Sequence, residues 1–96
     1  MSPYKYKKLK KLRKSLDKLD NSFIKLIKKR TNLVNQVLKL KEFKNQIIDN
    51  KRIKIILNQI RKKSINSDID PKITKRIWIN MIRAYIDYEK RNFKKK

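Results

Sequence analysis

The apolar positions of the first half of the chain fall at Leu9, Leu12, Leu16, Leu19, Phe23 and Leu26, then at Leu33, Val37 and Leu40, in alternating steps of three and four. That spacing is a helical seam with a 3.5-residue period. It runs from about Tyr6 to Phe43 with no Gly or Pro to break it, which predicts a single helix more than about 50 Å long at ~1.5 Å per residue. A globule of 96 residues is narrower than that. Part of the seam is therefore expected to pack on a second chain.

Between Lys44 and Asn50 the periodicity lapses, and Asp49 or Asn50 is placed to cap a second helix with Ile53, Ile56, Leu57 and Ile60 on its apolar face. Ser64 to Asp70 reads as a polar loop. Its end, Asp70-Pro71, pairs an N-cap with proline at the first helical position, where a missing N–H costs nothing. The third helix carries Ile73, Ile77, Trp78, Met81, Ile82, Tyr85, Ile86 and Tyr88 on its apolar side. The expected fold is all-α: three helices, the first very long, in an intertwined homodimer, with residues 1–96 as one domain and 1–8 and 90–96 as basic tails.

Composition narrows the chemistry. The chain has no Gly and two Pro, so long helices are favoured over hairpins. It has no Cys and no His, which removes disulfides, thiolate catalysis, triads built on imidazole and the usual zinc sites. Neither cofactor nor metal is expected. No apolar run reaches the roughly 18 residues of a membrane span, and no apolar signal core follows the basic N-terminus. A cytoplasmic protein without membrane partners is the expectation. The net charge of +22, from 30 Lys and Arg against 8 Asp and Glu, suits a polyanionic partner. The accompanying wealth of Ile and Asn instead fits the residue usage of an AT-rich coding sequence. With no groove-reading motif or aromatic platform, a basic helical nucleic-acid-binding protein stands behind the enzyme reading below.

The seam is interrupted once, and three further charged residues bear on that interruption. Arg30 lies in the gap between Leu26 and Leu33. A guanidinium on an apolar stripe either snorkels to water or faces an acid or an anionic ligand. Lys41 is eleven residues further, and at ~100° per residue that returns to nearly the same face three turns away. Arg13 lies beside the seam seventeen residues before Arg30, roughly 25 Å along the axis. It cannot share a small ligand with Arg30 in one subunit, but an antiparallel pairing of two long helices closes that gap. Glu89 continues the stripe of Trp78, Ile82 and Tyr85, either as a surface acid near the helix end or as an acid turned inward.

The segment LRKSLDKLDNSFIKLIKKRTNLVNQVLKLK, residues 12–41, closely resembles the first helix of the all-helical chorismate mutases. The likeness continues through DNKRI at 49–53, IDP at 69–71 and IRAYIDYE at 82–89. It implies an isomerase of aromatic amino acid biosynthesis (the shikimate pathway), which converts chorismate to prephenate in an intertwined dimer. By this resemblance Arg13, from the partner chain, and Arg30 bind the two substrate carboxylates, while Lys41 faces the ether oxygen. Arg52 closes over the site and Asp49 lies near the substrate hydroxyl. Glu89 stands where a Gln, sometimes a Glu, donates a hydrogen bond to the ether oxygen.

Three positions depart from the family pattern. Ile53 replaces a common Glu, Tyr85 replaces a small polar residue among the substrate-binding positions, and Glu89 helps an oxyanion form only when protonated. Ile53 and Tyr85 resemble the related isochorismate-pyruvate lyases, which form salicylate with the same set of cations. Chorismate mutase is the leading expectation and the lyase its alternative.

Overall fold

A computed structural model describes residues 1–94; Lys95 and Lys96, in the basic tail expected at 90–96, lie outside the described residues. Three helices make up the chain: α1 (Pro3–Leu40), α2 (Asn50–Asn66) and α3 (Pro71–Asn92), with one turn of 3-10 helix at Lys44–Gln46 between the first two. There is no strand among the described residues. The expected all-helical plan with a very long first helix is what the chain adopts.

Each helix start has an identifiable cause. The Ser2 hydroxyl accepts from the Lys5 N–H at 3.2 Å, and Pro3 supplies the pre-set φ of a first helical residue. Asp49 accepts from the Arg52 N–H at 3.0 Å, and Asp70 from the Lys72 N–H at 2.9 Å with Pro71 beside it. The pairing used at Asp70-Pro71 to set the third helix thus recurs at Ser2-Pro3, and it starts α1 three residues before the expected Tyr6. At its other end α1 stops at Leu40, three residues short of the expected Phe43. The side chain of Gln46 explains the stop: its Oε1 accepts from the N–H groups of Glu42 and Phe43, at 2.7 and 2.9 Å, and holds them outside the helical ladder.

The second helix ends in a Schellman motif. The Ile69 N–H donates to the Ser64 carbonyl at 2.9 Å and the Asp68 N–H to the Ile65 carbonyl at 3.2 Å, with Asp68 in the left-handed region at φ 55. Glycine normally takes that position, but the chain has none, and aspartate is among the residues that tolerate it.

The chain divides into two compact units, Met1–Leu33 and a second beginning at Val34. The first is a single amphipathic helix. Its seam residues Leu12, Leu16, Leu19, Phe23, Leu26 and Leu33 are all more than half exposed, as they must be when one helix has only itself to pack on. In the second unit α2 packs on α3, with Ile53, Ile56, Leu57 and Ile60 half-buried as expected. The buried apolar residues there are Leu38 and Ile47. Ile47 follows the 3-10 turn, so a segment with no periodicity still supplies a core side chain.

Two expectations are corrected here. Ser64 does not open a loop; it is buried inside α2, only 3% exposed. Its hydroxyl lies 2.6 Å from both the Ile60 carbonyl and the Thr74 hydroxyl on α3. Either hydroxyl can be the donor in the bond between Ser64 and Thr74, which ties the two helices together. Conversely Ile73 and Ile77, expected on the apolar side of α3, are 56% and 52% exposed. The inward face passes instead through Thr74, Trp78, Met81, Ile82 and Tyr85.

Replacing Asp68 with glycine should stabilise the second unit by about 0.5 kcal/mol, whereas Asp68→Val should cost about 1–2 kcal/mol. Urea melts at one fixed protein concentration read both values. Equal stability of the two variants would contradict the strain assigned to this turn.

Candidate active site

Leu40 is the last residue of α1, and Lys41 follows it with its N–H donating to the Leu38 carbonyl at 3.1 Å. A cation just beyond a helix C-terminus is favoured by the unpaired carbonyls there. Five turns into α3, Glu89 is 7% exposed, and a carboxylate so enclosed requires a charged donor. Lys41 is that donor. Its Nζ lies 3.2 Å from Glu89 Oε1 and 3.4 Å from Oε2, with side-chain exposures of 19% and 9%. Glu89 is therefore an acid turned inward rather than a surface residue at a helix end.

The neighbouring residue holds this arrangement in register. Tyr88 donates from its hydroxyl to Asn35 Oδ1 on α1 at 2.8 Å. Its ring meets that of Tyr85 edge to face, 6.4 Å between centroids at 85°. On the outer side Arg91 lies 6.0 Å from the Tyr88 centroid and bonds Asp87 at 2.9 Å. Asn35 was not marked by the seam, because a polar residue off an apolar stripe carries no signal of its own. Tyr88 was visible only as an apolar position.

The other expected site residues lie as follows. Tyr85 and Ile53 are half-buried in the second unit, and Arg52 is exposed on the first turn of α2. The Asp49 side chain is engaged as the α2 cap through the Arg52 N–H, and its carbonyl accepts from the Ile53 N–H at 3.0 Å. In the first unit Arg30 is half-buried, with its Nε shielded from solvent, and Arg13 is exposed. The structure thus brings Lys41 and Glu89 into direct contact. Among the described residues no group of three or more His, Cys, Asp or Glu side chains is gathered as a metal would need.

This geometry suits charge stabilisation rather than bond-making by the protein. A lysine held by a buried carboxylate is an oriented point charge, and a neutral donor in place of the acid would leave that charge facing a ligand. Residues 12–90 match the family described as chorismate mutase type II. The chain belongs to that family. The match begins at Leu12 within α1, takes in α2 and ends at Lys90 near the close of α3, so Lys41 and Glu89 both fall inside the family region and the first eleven residues outside it. No curated protein and no solved structure matches the chain.

Removing one member of a shielded ion pair strands the other, whereas removing both can be nearly neutral. Lys41→Met should therefore destabilise the fold by about 2 kcal/mol, and Lys41→Met with Glu89→Gln should return it to within about 1 kcal/mol of wild type. Chemical denaturation of the single and double variants checks this. Strictly additive losses would show that the two side chains are not coupled.

Proposed function

We propose that the protein is a chorismate mutase, an isomerase acting in aromatic amino acid biosynthesis. The observation that carries the reading is the oriented Lys41–Glu89 pair lying within the family match at residues 12–90. Conversion of chorismate to prephenate is a [3,3] rearrangement within one molecule, with no proton transferred and no covalent intermediate. A chain without His or Cys loses nothing for such a reaction. The work is to hold an extended dicarboxylate in a compact chair and to stabilise the negative charge that grows on the breaking ether oxygen.

In this proposal Arg30 and the Arg13 of a second copy bind the two carboxylates through paired guanidinium hydrogen bonds. Lys41 serves the ether oxygen, Arg52 closes over the ligand, and Asp49 takes the hydroxyl. The second copy has a physical motive independent of the ligand. Six seam residues between Leu12 and Leu33 are more than half exposed, and a matching seam would bury them. Residues 1–96 then act as one domain of a homodimer that needs no cofactor. No helix among the described residues is long and apolar enough to cross a membrane, and the cytoplasm is the proposed location.

Glu89 modifies the chemistry. A carboxylate on Lys41 competes with the developing oxyanion for the same ammonium group. Glu89→Gln should accordingly raise turnover at neutral pH; turnover unchanged by the substitution would remove Glu89 from the reacting centre. Arg30→Ala should lower kcat/KM by ~10² to 10³, the usual effect of deleting one charge-stabilising donor, while the helical circular dichroism is retained.

A second reading rests on Ile53 and Tyr85, both half-buried. These residue types resemble those of isochorismate-pyruvate lyases, which eliminate pyruvate by a related pericyclic step. Parallel assays with chorismate and isochorismate separate the two. Prephenate from chorismate is expected; salicylate and pyruvate from isochorismate would select the lyase, and turnover of neither substrate would refute both.

A further inference from the structure

On the side of the α2 and α3 pair turned away from Arg52, an open groove of ≈ 320 Å³ is lined by Lys54, Leu57, Asn58, Arg61 and Lys75. Two steps along a helix rotate by ~200°, so Lys54 faces nearly opposite to Arg52 and the groove is separate from the residues proposed above. Lys54, Leu57, Asn58 and Arg61 form an i, i+3, i+4, i+7 stripe on α2, and Lys75 comes from α3. Half-buried Leu57 is the floor and the exposed cations are the walls.

The charge in this groove is unbalanced. No acid lines it. The ion pairs Lys41–Glu89 and Arg91–Asp87 involve none of its cations, while Asp49 and Asp70 are engaged as helix caps. Three like charges around one concavity repel one another, and low-dielectric walls focus their field into the cleft. Lys54 and Arg61 stand two turns apart, about 10 Å along α2. A chain of linked phosphates spans that rise and meets both, with Lys75 as a third cation and the Asn58 amide as a neutral donor.

We propose that this groove is a binding site for an oligophosphate, either as a free inorganic chain or as the phosphate tail of a nucleotide. Arg61 supplies the planar fork that grips two oxygens of one phosphate, and the lysines act as point charges on the others. An organic group attached to the chain would lie over Leu57.

Calorimetric titration of the full chain with tripolyphosphate and with ATP, at one fixed salt concentration, tests the site without reference to any turnover. The triple variant Lys54→Gln, Arg61→Gln, Lys75→Gln should lose tenfold or more in affinity for both, about 1.4 kcal/mol. A charge-matched control, Lys5→Gln, Lys8→Gln, Lys10→Gln, removes the same three charges outside the groove and should lose less than about twofold, a long-range effect weakened by salt. Tighter binding of ATP than of tripolyphosphate would identify the nucleotide as the source; equal binding would identify the inorganic chain. Equal losses in the two triple variants, or no binding by the wild-type chain, would overturn the proposal. Circular dichroism of both variants confirms that helix content is unchanged.

Discussion

A buried carboxylate in a chain so rich in cations decides what the second unit can look like. Glu89, almost wholly enclosed, is tolerable only with a cation against it. Lys41 meets that need from just beyond the end of α1. The pair fixes where α3 runs relative to that end, and the Tyr88 bond to Asn35 one residue earlier fixes it a second time. Hydrophobic contacts between α2 and α3 permit some sliding, whereas two polar contacts in consecutive residues of α3 do not. The interaction that orders the fold is also the one on which the proposed chemistry rests.

The scarcity of acids extends this logic. With eight acids against thirty cations, each carboxylate has a large effect on where positive charge remains uncompensated. Asp49 and Asp70 hold helix starts, Asp68 forms the turn between α2 and α3, and Asp87 bonds Arg91 on the surface. None of these acids, nor Glu89, is among the residues lining the groove at Lys54, Arg61 and Lys75. Anionic ligands are the natural complement of such a surface.

Much of this was legible in the sequence because it depends on spacing. The long seam gave α1, the aspartate caps gave the starts of α2 and α3, and an acid on the stripe of α3 singled out Glu89. Separated segments such as 12–41 and 82–89 were specific enough to indicate the family. What escaped depends on tertiary context. Ser64 looked like a loop residue because its polarity is visible and its partner Thr74 is not. Ile47 lay outside any period yet is buried, and Asn35 matters only because Tyr88 reaches it. The early end of α1 required knowing that the Gln46 side chain turns back on Glu42 and Phe43.

The central proposal is that Arg30 of one copy and Arg13 of a second copy bind the dicarboxylate together. Mixing two inactive variants tests it most directly. Arg13→Ala and Arg30→Ala chains, unfolded together and refolded in equal amounts, should regain about one quarter of wild-type turnover, because half of the dimers are hybrids and each hybrid has one complete site. A mixture no more active than the average of its two parents would show that Arg13 does not act across subunits and would contradict the account.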